Sequence, residues 1–124
     1  MMATTGSGIT RENFPDVLRN FVVDKSLITD EFVELRWSIA KDQPKEVLTT
    51  MKTPTLGPRL GELDCPILTF WGADDEFMPP QGKDTCRHAN ARSQFVEIDD
   101  CGHWVMMEHP ELFNERSVAF LSEI

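Results

Sequence analysis

No stretch of this sequence approaches the roughly 20 consecutive apolar residues that a membrane-spanning helix needs. The first ten residues, Met1 to Thr10, also lack the basic start and apolar run of a secretory signal. Basic residues are scarce: 12 against 21 acidic ones leave a formal net charge of -9, which repels nucleic acid and anionic membrane. Cysteine is scarce too. Cys65, Cys86 and Cys101 are odd in number and show no CxxC spacing, which argues against a disulfide framework and suits a reducing compartment. There is no internal repeat and no low-complexity run. Together these absences lead us to expect a cytoplasmic protein with neither a nucleic-acid nor a membrane partner.

What remains is an ordinary folding composition, 40% apolar over 124 residues, enough for one domain at most. Residues 1–10, rich in Thr, Gly and Ser, carry no periodicity and are expected to be disordered or a join. Residues 11–58 read as three short helices. In the first, Phe14, Val17, Leu18, Phe21 and Val22 recur at helical spacing, with Pro15 tolerated in the opening turn. Thr29 is a fitting N-cap for the second, with Asp30 and Glu31 at its positive end. Phe32, Val33, Leu35, Trp37, Ile39 and Ala40 then make that helix apolar over most of its girth, so it calls for cover on several sides. Pro44 opens the third, backed by Val47, Leu48 and Met51, before Thr53-Pro54 and Gly57-Pro58 break the chain.

From residue 59 to 124 the pattern changes to α/β. Cys65 to Trp71 is a near-continuous apolar run closed by Gly72, as expected of a parallel strand buried on both faces. A helix over Pro80 to Ala89, a second strand over Gln94 to Ile98 and a last helix over Pro110 to Leu121 complete the order strand, helix, strand, helix. The crossover makes the strands parallel and brings both strand-to-helix loops to one sheet edge, where α/β proteins keep their sites. Two strands give little core, and the first has an unpaired edge, so the expectation is a part of a larger fold.

Those two loops hold Asp74 and Asp75 in one case and His103 in the other. A buried carboxylate bonded to one imidazole nitrogen fixes the tautomer and leaves the other nitrogen to take a proton. The competing view is that the aspartates are turn formers and His103 a satisfied loop residue. Cys86, His88, Cys101, His103 and His109 include zinc-type ligands. Their spacing is wrong for a structural site, and Cys86 and His88 fall on one helix pointing to different sides, so no metal is expected.

Pro66 to Pro79, which contains Phe70-Trp71-Gly72-Ala73-Asp74-Asp75-Glu76-Phe77, resembles the strand and acid loop of the α/β-hydrolases, with Asp75 matching the triad acid. Gly102-His103-Trp104-Val105, followed by Glu108-His109-Pro110, resembles that fold's histidine loop and last helix, acid before histidine. Val23 to Phe32, continuing through Leu35-Arg36-Trp37, is similar to the lid of the meta-cleavage-product hydrolases, which cut carbon–carbon bonds in ring-cleavage dienoates. The resemblance implies the lid (residues 11–58) and carboxyl-terminal core (residues 59–124) of that fold. It implies that Asp75 orients His103 as general base and acid, that Arg36 engages the polar end of a small-molecule dienoate, and that Phe77 and Trp104 flank the site. It implies no metal or organic cofactor, and a homo-oligomer at full length. From the residues alone, Arg36 reads instead as a snorkelling or ion-paired side chain, using Glu34, Asp30 or a nearby acid.

The family's nucleophile is a serine on a GxSxG elbow preceding acid and histidine, and no such motif occurs here. Ser7, glycine-flanked in Thr5-Gly6-Ser7-Gly8, follows no apolar strand and is rejected. The isolated chain is therefore expected to be inactive. The alternatives are a fragment of an ester hydrolase of the same fold, or a non-catalytic module that needs a partner chain.

Overall fold

A computed structural model of the protein describes residues 8–43, 50, 52 and 54–124. The expected helix behind Pro44 falls largely outside them, as does Ser7.

Helix α1 (Phe14–Arg19) begins with Pro15 in its first turn and buries Phe14 and Leu18. It stops short of the expected Phe21 and Val22 because Lys25 folds back on its end. The ammonium donates to the carbonyl of Arg19 at 2.6 Å and to that of Val22, satisfying acceptors that another helical turn would have used. Phe21 and Val22 still pack inward, from a turn. A short 3-10 turn at Lys25–Leu27 is capped by Asp24, whose carboxylate accepts from the Ser26 backbone N–H at 3.0 Å. Helix α2 (Asp30–Ala40) is capped as expected, with Thr29 Oγ1 accepting from Phe32 N–H at 3.2 Å.

The expectation that α2 is covered on several sides is met on one. Val33 joins Phe14, Leu18, Val22 and Ile28 in a buried cluster, with Phe32, Trp37 and Ala40 packed against it. Leu35 and Ile39 are 61% and 58% exposed among the described residues. Trp104 and Met107 also pack on this cluster, so the helical half and the second half share apolar contacts.

Strands β1 (Ile67–Gly72) and β2 (Ser93–Ile98) pair in parallel, with Ile67 opposite Ser93 and Gly72 opposite Ile98. Helix α3 (Gln81–Arg87) is the crossover. A short helix α4 (Val105–Glu108), which the periodicity did not reveal, precedes α5 (Pro110–Ser122). Period-2 alternation explains what each sheet face does. Phe70, Val96 and Ile98 look toward α5, where they meet Leu112, Phe113, Cys101 and Val105, and the Phe70 and Phe113 rings lie 4.7 Å apart.

The opposite face carries Trp71, Phe95 and Glu97. Glu97 binds Lys83 at 2.5 Å and Arg87 at 2.8 Å, while the Arg87 guanidinium lies 4.2 Å from the Phe95 ring centre. β1 is thus only partly covered, with Ile67 to Phe70 half-buried and burial complete only at Trp71 and Gly72. This corrects the expectation of a strand buried on both faces. The half-buried residues lie on both faces of β1, and among the described residues no strand pairs with its other edge, which leaves that edge uncovered. No described helix is long and apolar enough to cross a membrane.

The strand ends are joined tightly. The N–H of Ala73 donates to the Ile98 carbonyl at 2.8 Å and that of Asp74 to the Cys101 carbonyl at 3.0 Å. A Cβ on Gly72 would lie 2.0 Å from the Gly102 carbonyl oxygen, so only glycine lets the two loops come this close.

Candidate active site

The loop after β1 folds around the Asp75 carboxylate. Oδ1 accepts from the backbone N–H groups of Phe77 at 2.8 Å and Met78 at 3.0 Å, the turn-forming pattern expected of an aspartate here. Oδ2 lies 2.9 Å from His103 Nδ1. The two readings of Asp75 therefore hold together, since one oxygen builds the turn and the other meets the imidazole. Asp75 is 6% exposed and His103 29%, so the acid is enclosed while the ring reaches an opening. When Nδ1–H donates a hydrogen bond to the Asp75 carboxylate, the lone pair of a neutral ring is left on Nε2. No described residue is hydrogen-bonded to Nε2. Asp74 is exposed and takes no part in this pair.

Aromatic groups surround the imidazole. Phe77 lies 4.8 Å from His103 between ring centres and 4.8 Å from Phe21. Phe21 also stacks on Trp104 at 4.8 Å and 15°, and Phe32 meets Trp104 edge-on at 6.1 Å. Arg36 stands with its guanidinium carbon 5.6 Å from the Trp104 ring centre. It makes no ion pair among the described residues: Glu34, offered above as its partner, pairs with Arg11 instead. The five expected residues thus fall into one neighbourhood, Asp75, His103 and Phe77 in direct contact and Arg36 reaching the group through Trp104.

Two participants were not expected. Phe21 contributes its ring, and its carbonyl accepts from the N–H groups of His103 at 2.8 Å and Trp104 at 3.1 Å. Glu108 Oε1 accepts from Val23 N–H at 2.6 Å and Asp24 N–H at 3.0 Å. Its Oε2 accepts from Gly102 N–H at 2.6 Å. No pattern in sequence announces these bonds, because apart from the one to Gly102 they join groups more than 80 positions apart and always to backbone partners.

Among the described residues no three His, Cys, Asp or Glu side chains converge as metal ligands would. A cleft of about 350 Å³ beside the loops is lined by Asn20, Val23, Lys25, Asp74, Glu76 and Asp100, among others. Its three carboxylates disfavour an anionic guest, and His103 and Arg36 are not among its lining residues.

Cys101, with no exposed surface, anchors the histidine loop from beneath. Burial, followed by the nearby Glu108 carboxylate, pushes its thiol up from 9.0 to about 12. The folded state then keeps a proton that the unfolded chain loses above pH 9. Between pH 9 and pH 12 stability should fall by about 1.4 kcal/mol per pH unit from this group, a slope absent from a Cys101→Ala variant in urea titrations at stepped pH.

The α/β-hydrolase fold family matches residues 9–110, and the chain belongs to that family. The 2-hydroxy-6-oxo-6-phenylhexa-2,4-dienoate hydrolase of Burkholderia cepacia is 33% identical over 119 residues, covering 90% of this chain and 42% of that protein. A 2-hydroxy-6-oxononadienedioate/2-hydroxy-6-oxononatrienedioate hydrolase of Comamonas testosteroni is 32% identical with the same coverage. Among solved structures, a meta-cleavage product hydrolase from Pseudomonas fluorescens IP01 aligns with a TM-score of 0.78 at 27% identity, over 95% of this chain and 47% of that one. The chain thus spans less than half the length of these relatives.

Proposed function

We propose that this chain provides the acid, the histidine and the lid of a serine-dependent hydrolase of 2-hydroxy-6-oxohexa-2,4-dienoates. The observation that carries the reading is the 2.9 Å contact between an enclosed Asp75 carboxylate and His103 Nδ1, with Nε2 left for a proton transfer. The likeness to dienoate hydrolases over nine-tenths of the chain supports the substrate class.

In this reading residues 11–58 form the lid and residues 59–124 the carboxyl-terminal core. His103 takes a proton from the nucleophile or water and returns one to the oxygen of the departing dienolate, while Asp75 stabilises the imidazolium between the two transfers. Arg36, without an acid partner among the described residues and 5.6 Å from the Trp104 ring, is free to pair with the substrate's anionic end and favour its keto form. Phe77 and Trp104 form apolar walls beside the histidine. The bond next to the 6-oxo group is cut, giving a 2-hydroxypentadienoate and a carboxylic acid. The sequence has no GxSxG motif, so the serine and its oxyanion donors have to come from outside these 124 residues, and the chain alone is inactive.

The test is the ratio of initial rates on a ring-cleavage dienoate and on a simple ester, measured with the complete gene product that carries this sequence. A strong preference for the dienoate is expected. Preference for the ester would assign the same site to ester hydrolysis instead.

A further inference from the structure

We propose that Glu108 is a positioning residue for His103, acting by tying the histidine loop to the segment that leads into the lid. The inference rests on the reading of His103 as the group that moves the proton. Three backbone N–H groups converge on one carboxylate: Val23 at 2.6 Å and Asp24 at 3.0 Å on Oε1, Gly102 at 2.6 Å on Oε2. Charge-assisted bonds of this kind are about twice as strong as neutral ones, and here they join residues adjacent to His103 with residues 84 and 85 positions away from the acceptor.

A second strap runs beside it, because the Phe21 carbonyl receives the N–H groups of His103 and Trp104. Together the two straps hold the histidine loop on both sides of Gly102 and His103. The fit is close enough that a Cβ on Gly102 would lie 2.8 Å from the Phe21 carbonyl oxygen and 3.2 Å from Glu108 Oε2.

The turn around Asp75 is closed by the N–H groups of Phe77 and Met78, and Ala73 and Asp74 tie it to the Ile98 and Cys101 carbonyls. On the histidine side, Glu108 and the Phe21 carbonyl limit the freedom left in the Asp75–His103 contact. The same link lets a shift of residues 21–24 reach the imidazole directly. Glutamine cannot replace this carboxylate, since its one carbonyl oxygen serves one side only and its NH2 group then faces backbone donors. Aspartate keeps both oxygens but is a methylene shorter, and cannot reach both segments.

The test uses the full chain with 15N-labelled histidine, His103 assigned by its loss in a His103→Gln variant. In the wild type its ring shifts should report a single tautomer with the proton on Nδ1. In Glu108→Gln, folded by circular dichroism, they should move toward the mixture seen for free imidazole, while those of His88 and His109 stay fixed. Amide exchange at Gly102, Val23 and Asp24 should speed up by about tenfold or more. If Glu108→Gln does not fold, Glu108→Asp serves the same measurement, with an intermediate change expected.

A folded variant with fast amide exchange but an unchanged His103 tautomer would overturn the proposal. So would failure of both variants to fold, which would make Glu108 a plain structural residue. The tautomer is read without substrate, so this result is separate from the success or failure of the dienoate assignment.

Discussion

Asp75→Asn should lower the kcat for a dienoate of the complete gene product by about 10³- to 10⁴-fold and leave KM nearly unchanged. The amide still fits the turn, since its oxygen can accept from Phe77 and Met78 N–H as Oδ1 now does. What it loses is the negative charge facing His103 Nδ1 at 2.9 Å. With oxygen turned to the backbone, its NH2 group meets the ring and demands a lone pair on Nδ1, which puts the proton on Nε2, the wrong nitrogen. The imidazolium formed in the reaction would also lack its counter-charge. Stopped-flow traces of dienoate decay at saturating substrate check the kcat effect. A loss below about tenfold would show that His103 does not depend on this carboxylate.

The second large effect is expected at Arg36. If its guanidinium binds the anionic end of the dienoate, Arg36→Ala should reduce kcat/KM on dienoates by about a hundredfold or more, the usual cost of truncating one side of a desolvated charge pair. Turnover of simple esters should change little. If Arg36 served only to pack on Trp104, the loss would be the worth of an exposed cation–π contact, about 0.5–1 kcal/mol, or a few-fold on every substrate. Arg36→Lys separates charge from shape, because lysine keeps the charge and loses the planar fork. Partial recovery on dienoates is expected. Parallel measurements on one dienoate and one ester distinguish the two roles without reference to absolute rates.

Much of this arrangement was legible before any coordinates. The apolar run through Trp71 and the glycine after it identified a parallel strand. The helix between the strands placed Asp75 and His103 on one edge, because a crossover connection leaves both loops there. Thr29 marked the start of α2 through a local bond that any threonine at that position could make. Signals of this kind are short-range, or follow from chain direction alone.

The unreadable parts depend on contacts distant in sequence. α1 ends at Arg19 instead of continuing through Val22, where Lys25 takes the carbonyls of Arg19 and of Val22 beyond it, and nothing in the apolar spacing encodes that competition. The roles of Phe21 and Glu108 rest on backbone partners across the fold, where every residue offers the same N–H and carbonyl groups. The partner of Arg36 was equally hidden. Glu34 sits two positions from it and was a reasonable ion pair, yet it binds Arg11. The burial of β1 was overestimated because an apolar run reads alike whether or not further strands flank it, and among the described residues only β2 pairs with β1.

The proposed service of the Asp75–His103 pair in dienoate cleavage is addressed most directly by the absorbance decay of a ring-cleavage dienoate under the complete gene product and its His103→Ala variant, at matched concentration. Rapid decay is expected with the former and loss of at least about 10³-fold with the latter. No decay with the complete product, or decay that persists at the same rate without the imidazole, would contradict the proposal.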